Sequence, residues 1–460
     1  MRAGTLRQVQ VGALAGVRPV AVALRRDQEV EEDASGGGNS RTLPAPHPAG
    51  LCRLPRLAGA RQGQIWRFLV AAAALAVLMC APASARERFD TRVLALMPSP
   101  GYPALSLVGP DGTIYVGSFE NPAGDSLPSK VFAFAPDGHI IRSYTVPGQD
   151  LAAEHGVQVA AMDADGVLYL LDQHPARILT LDPRTGKFGY YGSFHDVPTC
   201  SASGRTSDCS DTILDNEPEP DYGAWGTDGS LYVTDYTQGL IWRVPPGGGN
   251  AEVWFTSPVI DGGLFGPAGL VLLPDHRTLL FSTGTNGPTT IGSNPTAGGL
   301  YKVKIAASGK PYGLTKLWES GPREAPDGFA VSAAGNIYLT LVGPAANQIV
   351  ELSPAGSELA RYPSPLQNAT MSVPFDEPSS AQFSGQSLIV TNQSYIAGDT
   401  SHMALLDVYA GEPGMPIYVP AKPAATSTPQ RKAKPKHKAK RKHHRKRRHK
   451  GASRRRPARR

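Results

Sequence analysis

The sequence predicts an all-β fold: a six-bladed β-propeller with a disordered N-terminal segment and a disordered, basic C-terminal segment. Three observations predict it. Gly and Pro supply 50 and 42 of the 460 residues, well above the average share, which calls for many tight turns. Val, Ile, Leu and Tyr recur in runs of strand length, separated by D-G-like pairs that suit hairpin links. One layout repeats six times: an apolar strand, a tight turn, and a second strand ending in small polar residues.

The six copies are ALSLVGPDGTIYVGS from Ala104, QVAAMDADGVLYLLD from Gln158, DYGAWGTDGSLYVTD from Asp221, AGLVLLPDHRTLLFST from Ala268, DGFAVSAAGNIYLTL from Asp327 and SSAQFSGQSLIVTN from Ser379. Most are followed by a third strand with its own turn, as in KVFAFAPDGHI and QIVELSPAGSE. Side chains alternate in LYVTD and IWRV as expected of strands. A single four-stranded unit cannot bury both of its faces, whereas six in a ring can. A β-sandwich with chance similarity among its hairpins is the competing account. Six copies in register weigh against it. Ring closure is expected to pair a strand near Arg92–Met97 with the last unit.

Three interruptions, at 118–129, 195–220 and 284–299, are expected to lie on one face and form a binding rim. The chain thus divides into a disordered or mis-started extension (1–60), a signal peptide (61–85), the propeller (86–420) and a Lys/Arg/His-rich tail (421–460). In RQGQIWRFLVAAAALAVLMCAPASA, Arg61 and Arg67 precede an apolar run from Phe68 to Met79 and an Ala83-Ser84-Ala85 cleavage site. An uncleaved anchor helix is the alternative, although the run is short for a bilayer. The protein is therefore expected to be secreted or attached to the cell envelope. Cys52 and Cys80 fall in the removable part. Cys200 and Cys209 remain, close together in a polar loop, and an exported pair of this kind predicts a local disulfide.

The net charge of +7 conceals a division. Residues 431–460 hold 18 Lys or Arg and no acid, whereas 86–430 carry a net charge of −16. Nucleic acid is therefore not an expected partner of the propeller, and a monomer is expected. The tail suits anionic envelope polymers or an acidic membrane surface, or its own acidic body, with attraction that weakens as salt rises. A solubilising appendage without a partner is the alternative.

Propeller ligands usually bind where the innermost strands begin, so Ala104, Gln158, Asp221, Ala268, Asp327 and Ser379 form the candidate ring around the channel. Asp327 and Asp221 are the candidate catalytic and metal-ligating residues. Converging carboxylates repel unless a cation or a proton lies between them. Gln158, Ser379, Tyr102 and His155 are candidate substrate contacts for a small molecule at the channel mouth, His155 as a rim residue. Glu217 and Glu219 lie just upstream of Asp221. An Asp at a strand start, as Asp327 before Gly328, also caps turns, which is the competing account of Asp327 and Asp221. Asp172, Asp235 and Asn392, at second-strand ends, are expected to hydrogen-bond turns or neighbouring blades. The sequence holds no G-x-S-x-G, H-E-x-x-H, paired C-x-x-C or G-x-x-x-x-G-K-[ST], so serine-hydrolase, zinc-protease and P-loop chemistries lack support.

Across roughly Arg92–Pro420 the chain resembles the regucalcin/gluconolactonase family of six-bladed propellers. PDGFAVSAAGNIYLTL is similar to that family's P-D-G-M-A-V-D-x-x-G-N-L-W-V-A. The resemblance implies a divalent cation, such as Ca²⁺ or Zn²⁺, that polarises a lactone carbonyl and activates water. Asp327 matches the family's metal-binding Asp, and Asp221 stands where a substrate-contacting Asn is common. Ala268 replaces the Asn ligand of P-N-G-L-A, and the first-blade Glu is absent, with Tyr102 or Ala104 near its place. The expectation is an exported metal-dependent hydrolase of a lactone or related ester. The alternative is a non-catalytic propeller that binds a ligand or protein at the cell envelope.

Overall fold

The structure is a computed structural model that describes residues 86–120, 126–203, 208–211, 216–261, 265–286 and 297–420. The expected N-terminal extension, signal peptide and basic tail lie outside the described residues. The chain opens with β1 (Thr91–Leu96). Blade 1 is β2 (Pro103–Val108), β3 (Ile114–Ser118), β4 (Lys130–Phe134) and β5 (Ile140–Thr145). Blade 2 is β6 (Val157–Met162), β7 (Leu168–Asp172), β8 (Arg177–Asp182) and β9 (Lys187–Ser193). Blade 3 is β10 (Pro220–Trp225), β11 (Leu231–Asp235), β12 (Leu240–Val244) and β14 (Glu252–Thr256). Between its last two strands, β13 (Gly249–Asn250) joins the edge of blade 2 parallel to β9. Blade 4 is β15 (Pro267–Leu272), β16 (Thr278–Thr283), β17 (Ala297–Ile305) and β18 (Pro311–Pro322). Blade 5 is β19 (Pro326–Val331), β20 (Ile337–Leu341), β21 (Gln348–Leu352) and β22 (Glu358–Tyr362). Blade 6 is β23 (Pro378–Ser384), β24 (Ser387–Asn392) and β25 (Ala404–Tyr409), completed by β1.

The six sheets form a closed cycle, in which β2, β6, β10, β15, β19 and β23 each contact the next and β23 returns to β2. Closure is as expected: β1 pairs antiparallel with β25, from Thr91 opposite Val408 to Leu96 opposite Ala404. Arg86 reinforces it by donating to Asp407 at 2.8 Å and Asp90 at 3.0 Å.

The second strands differ from simple alternation. All five residues of β3, β11 and β20 are buried. A middle strand is covered by a neighbouring blade on both faces, so both sets of side chains meet apolar partners rather than one meeting water. The D-G turns behave as expected: Gly112 takes φ +82°, and the Asp111 carboxylate accepts the Thr113 N–H at 3.0 Å.

Strand register puts the three interrupted connections at one end of the ring. Ser118 pairs with Pro103 and Thr283 with Pro267, so the loops after β3 and β16 leave beside the starts of inner strands. Ser193 opposes Arg177, beside Asp172 and Val157, so the loop after β9 leaves at the same end. In that last loop Cys200 and Cys209 form the expected disulfide. Cys200 N–H donates to Ser210 O at 2.6 Å, and the Ser210 hydroxyl donates to Gln238 O, tying the loop to blade 3. Replacing both cysteines by Ser is expected to lower stability by about 2–3 kcal/mol, read from urea unfolding with and without reductant.

Candidate functional site

Five of the six inner strands break register just after their first residue, for example between Pro220 and Gly223 and between Pro326 and Phe329, whereas β6 breaks later, between Val159 and Ala161. Five of the six begin with Pro, at 103, 220, 267, 326 and 378, which needs no ladder partner for its nitrogen. The candidate ring residues follow immediately. Gln158, Asp221, Asp327 and Ser379 are 5%, 6%, 6% and 3% exposed, and Ala268 is fully buried. Ala104 takes its place in β2.

The structure joins several of these residues directly. Gln158 accepts the Leu105 N–H through Oε1 at 2.5 Å and donates through Nε2 to Asp221 Oδ1 at 2.7 Å. A backbone N–H can only donate, so this contact determines which way the amide faces. Across the channel, the Tyr222 hydroxyl donates to Ser379 O at 2.9 Å, linking blade 3 to blade 6, which lies opposite. Its path explains Gly328: a Cβ there would sit 2.2 Å from the Tyr222 oxygen. The Ser379 hydroxyl is engaged with Thr391 Oγ1 at 2.8 Å.

Asp221 and Asp327 interact through the channel. Burial, reinforced by Asp327, holds Asp221 well above the usual carboxylate range. Burial pushes Asp327 up to about 8, against the opposing pull of the Tyr222 hydroxyl and the Gly328 N–H. Tyr222 itself is raised by burial and then by both carboxyls. The Tyr222 hydroxyl donates to Ser379 O and also acts on Asp327, where it opposes the rise that burial causes. Burial thus favours the neutral forms of this pair over the ionised ones.

The residues present do not fit the divalent ion that the resemblance implies. Gln158 turns its N–H₂ toward Asp221 and uses its oxygen elsewhere. The Ser379 hydroxyl is engaged, and Ala268 offers no side-chain donor. Among the described residues, no group of three or more His, Cys, Asp or Glu is placed to hold a metal.

Keeping Asp327 neutral sets a pH dependence. Its folded value lies above its ordinary 3.8, so the stability of the neutral form is complete below about pH 4 and is lost as pH rises toward 8. Asp327→Asn is expected to gain on the wild type by on the order of 2 kcal/mol more at pH 9 than at pH 5 in denaturant titrations.

A second tier lies two residues ahead of the ring, at Tyr102, Gly156, Glu219, Gly266, Ala325 and Glu377. Tyr102, 6% exposed, stacks on Phe119 at 5.2 Å and meets the edge of Tyr395 at 5.3 Å. Burial, then Glu154, Tyr395, Glu120 and Glu219, raise its hydroxyl. Tyr236 is raised by burial and by its bond to Glu219, with Asp221 and Glu154 adding to this. Burial lifts Glu377 to about 7, although it accepts the Ile396 N–H at 2.7 Å.

His155 lies inside the wall rather than on the rim. It is fully buried, with Nδ1 3.0 Å from Ala153 O and 3.1 Å from Glu120 Oε2, and Nε2 2.8 Å from Leu127 O. It anchors the blade 1 loop. Glu217 stands outside the ring, 67% exposed, 3.8 Å from His174. Asp172 accepts from Gln149 and Arg177, each at 2.8 Å. Asp235 accepts from Gln238 N at 2.9 Å, and Asn392 donates to His402 O at 2.8 Å. These three hold loops and turns.

Sequence reasoning missed Tyr222, Tyr236, Tyr395 and Glu377. Strict alternation would send Tyr222 to the face opposite Asp221, but the register break after Pro220 suspends it. The recurring position two residues before each ring residue was a usable signal for Glu377.

No family model matches the chain, and no curated protein matches it. Solved structures do. A catalytically inactive virginiamycin B lyase from Staphylococcus aureus, with quinupristin, is 18% identical; the match covers 68% of this chain and 82% of that one, with a TM-score of 0.42. The PQQ-bound aldose sugar dehydrogenase from Streptomyces coelicolor is 14% identical, over 69% of this chain and 96% of that one, with a TM-score of 0.45. A luciferin-regenerating enzyme is 11% identical, over 71% and 97%, with a TM-score of 0.42. These identities leave the activity of this chain to be argued from its own site. The resemblance to the regucalcin/gluconolactonase family rests on the motif alone.

Proposed function

We propose that this propeller is an acid–base hydrolase of a lactone or related ester, with Asp221 and Asp327 acting as a pair that shares one proton. The observation behind it is the pair itself: two carboxyls, each 6% exposed, face one channel and are held protonated by burial. Environments that shift carboxyl ionisation mark acid–base sites.

In the singly protonated pair, the ionised carboxylate takes a proton from water as the water oxygen bonds to the carbonyl carbon. The neutral carboxyl passes its proton to the carbonyl oxygen. The tetrahedral intermediate then collapses: the C=O bond re-forms, and the carboxylate just vacated regains a proton from the hydroxyl. The C–O bond to the leaving oxygen breaks, and the other carboxyl protonates that oxygen. One water is consumed and the pair is reset. Gln158 fixes Asp221, and the Tyr222 hydroxyl, donating to Ser379 O, links blade 3 to blade 6.

A second reading, a non-catalytic binding propeller at the cell envelope, is favoured by Ala104 and Ala268 in the ring. On either reading we place the protein outside the cytoplasm, in keeping with the disulfide, and assign the basic tail to anionic envelope polymers or membrane surface. The test is turnover of a panel of lactones and aryl esters by the full chain. Loss of turnover in both Asp221→Asn and Asp327→Asn is expected. Turnover that survives both variants overturns the hydrolase reading, and ligand binding without turnover establishes the second.

A further inference from the structure

We propose that Tyr222 is a positioning residue for Asp327, its single hydroxyl proton moving between Ser379 O and the Asp327 carboxylate. This rests on the carboxyl-pair reading of the site.

Tyr222 follows Asp221 on β10, and its hydroxyl reaches blade 6, where it donates to Ser379 O at 2.9 Å. Blade 5 comes to the same place. A Cβ on Gly328, the residue after Asp327, would lie 2.2 Å from the Tyr222 oxygen and 2.7 Å from Ser379 O. Tyr222, Gly328 and Ser379 therefore meet where three blades converge. Tyr222 and Ser379 are buried, so protein groups supply the hydrogen bonds there.

The second strand of blade 5 adds another hydroxyl. Thr340, fully buried, donates toward Gly328 O at 2.7 Å and Ser379 O at 2.9 Å. Each hydroxyl has one proton to give, and a carbonyl can only accept. While Asp327 is neutral, two protons serve two carbonyls: Tyr222 on Ser379 O, Thr340 on Gly328 O. When Asp327 ionises, a third acceptor appears. Thr340 then covers Ser379 O, and the Tyr222 proton turns to the carboxylate, where a charge-assisted bond is the stronger one. The pull of Tyr222 against burial at Asp327 agrees with this. The backbone of Asp327 is held meanwhile, because the Ser282 hydroxyl donates to its carbonyl. Asp221, Asp327 and Tyr222 act on one another, with Asp235 and Glu219 adding to Asp221.

The test follows Asp327 by carbon-13 NMR of the full chain labelled at the aspartate carboxyls, its signal assigned as the one that Asp327→Asn removes. In Tyr222→Phe the titration midpoint of Asp327 is expected about one pH unit above that of the wild type, the scale of one bond to a charged group. Thr340→Val is expected to move it in the same direction, since Tyr222 must then stay on Ser379 O. Where an ester is turned over, the acid limb of its pH–rate profile is expected to move with the midpoint. A midpoint unchanged or lowered in either variant, in a chain with native circular dichroism, overturns the inference. Should Tyr222→Phe not fold, Thr340→Val decides. The midpoint is read without substrate. Raised midpoints in a protein that hydrolyses nothing sink the hydrolase reading alone, and unchanged midpoints beside intact wild-type turnover sink this inference alone.

Discussion

Asp327→Asn is expected to lower kcat/KM for the best lactone or ester of the panel by about a thousandfold, the scale of a positioned acid–base group. Asn keeps the volume but can neither give nor take the proton. The loss should appear in kcat, because the carboxyl acts on the reacting atoms rather than on the rest of the substrate. The wild-type pH profile supplies an independent check. Burial pushes Asp327 up to about 8, and burial, reinforced by Asp327, raises Asp221 as well, so the acid limb of the profile is expected well above the ordinary carboxylate range. Activity is expected to rise as pH climbs through about 8, where the pair becomes singly ionised, and to fall again when the second proton leaves. An acid limb near pH 4 would show that both groups ionise as ordinary carboxylates, against the shared-proton account.

The largest stability loss is expected from Trp242→Ala, about 3–5 kcal/mol by urea unfolding. Trp242 is fully buried, with Phe194 at 5.8 Å and His195 at 5.2 Å between ring centres. Its indole N–H donates to Asp235 Oδ2 at 2.9 Å. Asp235 is itself fully buried and receives the N–H groups of Glu219 at 3.1 Å and Gln238 at 2.9 Å. Truncating Trp242 thus opens a cavity and takes a donor from a buried carboxylate. Trp242→Phe separates the two effects, retaining most of the volume and losing about 1–3 kcal/mol for the unpaired acceptor. A Trp242→Ala chain as stable as the wild type would contradict this packing.

Much of the architecture was legible in the order of residues. Six copies of one hairpin imply six equivalent sheets, because a blade buries its faces only against others like it. Closure by a strand near Arg92 followed from the unpaired edge that the last unit would otherwise expose. An Asp before several of the turn glycines, as at Asp111-Gly112, announced local hydrogen bonds that need no tertiary context. Asp221 and Asp327 could be named because each begins a repeat.

Their relation could not. Asp221 and Asp327 stand 106 positions apart, and only ring closure lets them act on each other. The role of Tyr222 depends on a register break that period-two reading does not foresee, and on Gly328 leaving room for a hydroxyl from another blade. The orientation of the Gln158 amide comes from a backbone N–H of the adjacent blade. His155 looks like a rim residue in sequence, yet burial against backbone oxygens makes it a loop anchor. Local sequence determined which elements form, through turn chemistry and apolar spacing. The tertiary ring decided which polar atoms meet in a dry channel, and burial there decides whether a carboxyl keeps its proton.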